Sequence, residues 1–349
     1  MSRKERPRID LSTIEKILLI RLRRIGDVVM TTPAVAALKK SLPHAHLTYI
    51  VEEPYRRLVD RNPHLDSVIS LPPNQKLLSF MSFIFKLRRV KYDALVDFHG
   101  GPRASQIALL CRARLKIGYE LKYKGFYYHV RLPRALPGGA PIHSVENHLN
   151  LVRVLGISVA EPPPLELPPA LPREKKKVEN LWTQNGLDIG RAVVLHIGAG
   201  NVFRDWGVEN FAALIELLGQ TPGVRVILVG STADKARESD ILARLNLPVL
   251  SLVGSLNLIE LREVISRAAL FVGPDSGPMH IAAATPTPLV ALFGPTLPEN
   301  FAPWKAEATI IARDLDCRPC RQRRCAFRDF RCLRSIQPEE VYAACLPYL

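Results

Sequence analysis

The chain has 349 residues, 47% of them hydrophobic and 23% charged, which excludes a disordered chain and is long enough for two separate cores. Its formal net charge is +15, unevenly spread: residues 1–170 hold 27 Lys and Arg against 14 Asp and Glu, and residues 171–349 hold 21 against 19. A basic first half suits an anionic partner, and nucleic acid, an anionic membrane surface and a phosphorylated small acceptor all stay open beside a merely solubilising surface. The longest apolar run, Leu77–Leu87, is well short of the ~20 residues that span a bilayer and contains a lysine. The opening MSRKERPRID has no apolar segment behind it, so export is not expected. Six cysteines in a chain of this size suit thiols or metal ligands better than a disulfide framework.

Short apolar runs alternate with amphipathic stretches along the chain. Ile17–Leu22, Leu47–Val51, Val68–Leu71 and Ala94–Phe98 read as strands in the first half. Residues 160–172, AEPPPLELPPALP, carry six prolines and read as a stiff extended connector, because proline fixes φ and lacks an amide donor. A polar helix over Arg173–Gln184 follows. Ala192–Ile197, Val224–Val229, Val249–Val253, Leu270–Val272 and Leu289–Phe293 are the strands of the second half, with helices over Val208–Leu218 and Leu258–Ala268 between them. Strands without polar alternation, interleaved with helices, predict parallel sheets of βαβ units. The expected fold is α/β, two doubly wound domains, an N-terminal one over residues 1–165 and a C-terminal one over residues 166–349. In such folds ligands bind in the loops after the strands.

Three such loops carry polar residues. After the first strand come Gly26 and Asp27 at a helix start, where Asp27 is either a helix cap or a chemical group. The G-x-G-x-x-G dinucleotide fingerprint is absent. After Ala192–Ile197 come Gly198-Ala199-Gly200 and then Arg204, small residues that admit a phosphate and a cation to pair with it. After Leu270–Gly273 come Asp275, Ser276, Gly277 and, one turn on, His280, which is either structural or a ligand contact. Phe293-Gly294-Pro295-Thr296 ends the next strand in the same style. With that loop, the three small-residue loops of the second half point to a diphosphate site there.

At these residues the sequence resembles glycosyltransferase family 9, the lipopolysaccharide heptosyltransferases. The likeness runs through KILLIRLRRIGDVVMTTPAVAALKKSLPHAHLTYIVEE, YDALVDFHGGPRAS, HSVENHLNLVRVLGI, VVLHIGAG, RDWGVENFAALIELL and FVGPDSGPMHIAAATPTPLVALFGPT. The resemblance implies a GT-B fold with its site in the cleft between two Rossmann-like domains. It implies inverting transfer of heptose from ADP-L-glycero-D-manno-heptose to the lipopolysaccharide inner core, onto lipid A–Kdo or a heptosyl acceptor. Asp27 then matches the general base, and Asp275, Ser276, Gly277 and His280 match the donor site. Arg204 stands where the family commonly has lysine, and Asp234 sits near its ribose-holding glutamate, one methylene shorter. Arg103 and His143 match positions facing the acceptor. The resemblance implies no catalytic metal and no cofactor beyond the ADP-heptose donor. It also implies a cytoplasmic enzyme, peripheral on the anionic cytoplasmic face of the inner membrane, with no nucleic-acid partner. Another nucleotide sugar or a protein acceptor is the alternative within the same fold.

Cys317, Cys320, Cys325 and Cys332 form C-x2-C-x4-C-x6-C in an arginine-rich tail. The first pair has metal-ligand spacing, so a structural zinc or iron stands beside four reduced thiols as a reading. Cys111 and Cys345 read as ordinary buried residues.

Overall fold

The computed structural model describes residues 10–73, 76–121, 125–134 and 139–349; most of the charged N-terminal stretch lies outside them. The chain forms two compact units, Met1–Pro168 and Pro169–Leu349. The division falls slightly beyond the expected 165/166 boundary because the start of the connector packs onto the first unit. Leu165 and Leu167 are buried there, Glu166 N–H donates to Thr32 Oγ1 at 3.0 Å, and the Glu166 carboxylate meets His64 Nε2 at 2.9 Å.

The first unit runs β1 Lys16–Ile20, α1 Ile25–Val29, α2 Thr32–Ser41, β2 His46–Glu52, β3 Ser67–Leu71, α3 Leu77–Leu87, β4 Tyr92–Asp97, α4 Pro102–Leu110, β5 Ala113–Tyr119, β6 Val130–Leu132 and α5 Ser144–Arg153. Its strands lie in the order β3-β2-β1-β4-β5-β6, and the described pairings are parallel. Central strands such as β1 are buried on both faces, which is why their sequences are continuously apolar. Leu18, Ile20, Leu95, Ile107 and Ala108 join α4 to one face of the sheet.

The second unit runs α6 Pro172–Gln184, β7 Ala192–His196, α7 Val208–Gly219, β8 Arg225–Val229, α8 Lys235–Leu242, β9 Leu250–Ser251, α9 Leu258–Ser266, β10 Leu270–Pro274, α10 Gly277–Ala282, β11 Leu289–Phe293, α11 Pro298–Phe301, β12 Ala308–Ala312, α12 Arg331–Arg334 and α13 Pro338–Cys345. The sheet order β9-β8-β7-β10-β11-β12 repeats the first unit's pattern. Trp206 and Phe211 pack with Leu333, Ile336 and Val341 in its core, and Trp206 Nε1 donates to the Ile336 carbonyl at 2.9 Å. The C-terminal segment is thus part of this core, each fully buried large apolar side chain contributing about 1.5–3 kcal/mol.

In both units the strand order reverses direction once, between β1 and β4 and between β7 and β10. Crevices at such switch points are where doubly wound sheets take ligands. Register levels the strand ends there: Ile20 lies beside Ile50 and Asp97, and Leu195 beside Val272.

Candidate active site

In the first unit the switch-point loops meet through Arg21. Asp97 ends β4 fully buried and accepts hydrogen bonds from the His99 and Gly100 amides at 2.7 and 3.0 Å and from the Tyr128 hydroxyl at 2.5 Å. Burial pushes its carboxyl above the usual aspartate range, against the pull of those donors. The loop so fixed presents the Phe98 carbonyl to Arg21 Nη1 at 2.7 Å, and Arg21 Nη2 holds Asp27 at 2.5 Å. Asp27 is the third residue of α1 rather than its N-cap, which is Arg24, so its side chain is engaged by a cation and not by helix amides. About a third of it stays exposed.

Around this pair, Arg134 lies 4.1 Å over the Tyr119 ring and donates to the His99 carbonyl at 2.7 Å. Burial, with Arg21 and Arg23 nearby, pushes His99 down to about 4, so it is a neutral imidazole at physiological pH. Its Nδ1 is buried with no hydrogen-bond partner among the described residues. Arg103, expected to face the acceptor, has several partners within the fold. Near the start of α4, it donates to the Pro72 and Pro73 carbonyls at 2.9 and 2.8 Å and pairs with Glu52 at 3.3 Å, tying the ends of β2 and β3 together. His143 is the N-cap of α5, its Nδ1 accepting from the Val145 amide at 3.2 Å.

In the second unit Asp275 is the centre. It is buried at the end of β10 and accepts from Thr296 Oγ1 at 2.5 Å. Arg204 Nη1 donates to its main-chain carbonyl at 2.9 Å and lies 3.5 Å from its carboxylate, while His280 Nε2 is 4.0 Å from the other oxygen. Ser276, not Asp275, caps α10, and its hydroxyl turns to His196 Nδ1 at 3.3 Å. Burial pushes His196 down to about 4, so it too is neutral.

Gly198 follows β7 closely packed: a Cβ there would lie 2.8 Å from Asp234 Oδ2 and 3.0 Å from His196 Nε2. Asp234 cannot yield easily, because the same oxygen accepts from the Ser231 amide and hydroxyl at 2.7 and 2.6 Å. Gly198, Arg204, Asp234, Asp275, Ser276 and Thr296 therefore belong to one system of loops at the strand ends. Next to Arg204, Asp205 pairs with Arg237 and Arg334 and accepts from the Gly207 amide, which holds its carboxyl below the usual range and fixes the loop.

The cysteine tail packs on this system, Cys320 N–H donating to the Pro295 carbonyl at 2.9 Å. All four cysteines are free thiols, and among the described residues no three His, Cys, Asp or Glu side chains are grouped to hold a metal ion. Burial, with Cys317, Cys325 and Cys320 nearby, raises the Cys332 thiol pKa, while Cys325 takes amides of Phe327, Arg328 and Phe330 onto its sulfur, which lowers its pKa.

Arg21, His99, Arg134 and Tyr128 were missed in the sequence, as was His196. The available signals were an arginine directly after the first buried strand and a histidine ending the seventh.

Two doubly wound units in one chain, each with a polar loop system at its switch point, are the architecture of the GT-B fold. The family model for glycosyltransferase family 9 (heptosyltransferase) matches residues 80–330, and the chain belongs to that family. It is similar to lipopolysaccharide heptosyltransferase 3 of Escherichia coli, 29% identical over 301 residues covering 81% of this chain and 84% of the relative. Its fold is similar to a family 9 glycosyl transferase from Veillonella parvula, with TM-score 0.84 at 22% identity over 97% of this chain and 98% of that one. It is also similar to the E. coli ADP-heptose lipopolysaccharide heptosyltransferase II, with TM-score 0.77 at 24% identity over 95% and 98%. Among the described residues no helix is long and apolar enough to cross a membrane.

Proposed function

We propose that this glycosyltransferase moves heptose from ADP-L-glycero-D-manno-heptose, with inversion, to a hydroxyl of the lipopolysaccharide inner core, lipid A–Kdo or a heptosyl acceptor. The second unit holds the donor. Arg204 offers a fork whose position is set by the Asp275 carbonyl, and the small residues Gly198–Gly200 admit the diphosphate to the backbone. The first unit supplies the base. Asp27 takes the acceptor hydroxyl proton as that oxygen attacks the anomeric carbon and the bond to ADP breaks. The leaving phosphate charge is met by Arg204 and loop amides, a cation that serves without a catalytic metal. The acceptor's lipid portion sets the protein at the anionic cytoplasmic face of the inner membrane.

The observation that carries this reading is the buried Asp275 orienting Arg204 at the switch point of the second sheet, in a chain of this family. Mass spectrometry of a Kdo–lipid A acceptor incubated with ADP-heptose, with and without EDTA, tests it. A heptose added to the acceptor in both conditions is expected. Transfer only from another nucleotide sugar would replace the donor, and loss of transfer in EDTA would refute the metal-free route.

A further inference from the structure

Helix α3, Leu77–Leu87, is apolar on both sides, yet only one side is covered. Ile84 and Leu87 are buried, and Phe80 and Phe83 pack against the same core cluster. On the other stripe Leu77, Leu78, Met81 and Phe85 are 74%, 85%, 51% and 69% exposed. Positions 77, 78, 81 and 85 lie on one helical face, so these exposed side chains form a row rather than scattered points. Ser79 and Ser82 are the only polar residues between Leu77 and Phe85. An all-apolar helix is ordinarily buried, so half of this one lacks a cover.

Its surroundings are of one sign. Lys76, Lys86, Arg88, Arg89 and Lys91 are exposed, and no acidic residue occurs from Lys76 to Tyr92. Arg88 and Lys116 donate to the Leu110 and Leu109 carbonyls at 3.1 and 3.0 Å, which fixes two cations beside the end of α4. Leu109 there and Phe126 are 42% and 73% exposed.

An apolar row bordered by cations matches the acyl boundary and headgroups of an anionic bilayer. A soluble protein partner would need complementary acidic groups and a hydrophobic groove of its own, whereas a lipid surface supplies both features at once. We propose that the exposed face of α3 is a membrane-docking surface that inserts shallowly into anionic lipid. The inference rests on the reading of an acceptor anchored in that lipid, and the vesicle-binding measurement that decides it uses neither donor nor acceptor.

The test is sedimentation of the full-length protein with phosphatidylcholine vesicles and with phosphatidylcholine–phosphatidylglycerol vesicles, at low and high salt. Preferential binding to the phosphatidylglycerol vesicles, weakened by salt, is expected. Leu78→Asn with Phe85→Asn should weaken partition at least ~10-fold, because two large side chains would no longer be buried in the acyl region. Lys86→Glu with Arg89→Glu should weaken it about fivefold or more per charge at low salt. Both pairs are exposed, so thermal unfolding should match the parent protein. Transfer to a water-soluble delipidated acceptor should also persist, which separates failure of docking from failure of the enzymatic reading. Equal binding of parent and Leu78→Asn/Phe85→Asn proteins would overturn the proposal. So would equal binding to both vesicle types, or a parent dimer that dissociates in the same variant without any vesicle binding.

Discussion

Arg204 offers the sharpest single test of the donor site. Its guanidinium is about three-quarters buried and makes two contacts to Asp275, one at 2.9 Å to the carbonyl and one at 3.5 Å to the carboxylate. At that separation two unit charges attract by about 5 kcal/mol at an effective dielectric of 20. Desolvation offsets much of it, leaving about 1.5–3 kcal/mol for a charge-assisted pair. Arg204→Ala therefore has two expected effects. Stability falls by about 1.5–3 kcal/mol, since Asp275 keeps Thr296 but loses its cation. ADP affinity falls separately by about 10- to 100-fold, one charge-assisted phosphate contact. Arg204→Lys keeps the charge but not a fork that bridges Asp275 and phosphate, so it should recover part of the affinity. Calorimetric titration with ADP and urea unfolding of the same preparations read the two effects. ADP affinity within twofold of the parent in a stably folded Arg204→Ala protein would remove this arginine from the donor site.

Asp27→Asn should lower kcat by at least ~10² with unfolding unchanged, and near-full turnover would leave Asp27 only its pairing with Arg21. Gly198→Ala should weaken ADP binding about tenfold, because a Cβ 2.8 Å from Asp234 Oδ2 must displace a carboxylate held by Ser231; unchanged affinity would show that this loop yields freely. Tyr128→Phe probes Asp97, whose folded-state pKa is raised by burial. A raised carboxyl contributes stability below its unfolded pKa that is lost as pH rises through the folded value. Removing the Tyr128 donor raises that value further, so the variant's loss of stability should be larger above the folded-state pKa than below it, where Asp97 is protonated. Urea unfolding at several pH values measures this, and a pH-independent loss would contradict a Tyr128 hydroxyl that favours the ionised carboxylate.

The central strands were legible because burial on both faces leaves a continuous apolar signature, as in ILLI of β1 and VVLH of β7. The outer strands β5, β6 and β12 were not. Arg114 and Lys116 interrupt β5 because that part of the strand is only partly covered, and β6 and β12 are edges with one neighbour each. The loops holding Asp27, Arg204 and Asp275 were found because glycine, proline and charge cluster after apolar runs. Their partners were not, since Arg21, which holds Asp27, is itself placed by the Phe98 carbonyl 77 positions away, and the two meet only through the parallel pairing of β1 and β4. The contacts Arg103 makes with Glu52 and the Pro72 and Pro73 carbonyls, and the His143 cap of α5, were not legible either, since motif matching carries no information on a side chain's partners within the fold.

Among the described residues each half of this chain owns its own six-stranded sheet, with no strand lent to the other. The join lies in a proline-rich segment after Pro168 that belongs to neither sheet. A chain built in this way is open to recombination. Exchanging everything after Pro168 with the matching half of a relative would cut no ladder and divide no hydrophobic core. If the donor is held by the second unit and the acceptor by the first, as proposed, nucleotide preference and acceptor preference could be exchanged as separate modules.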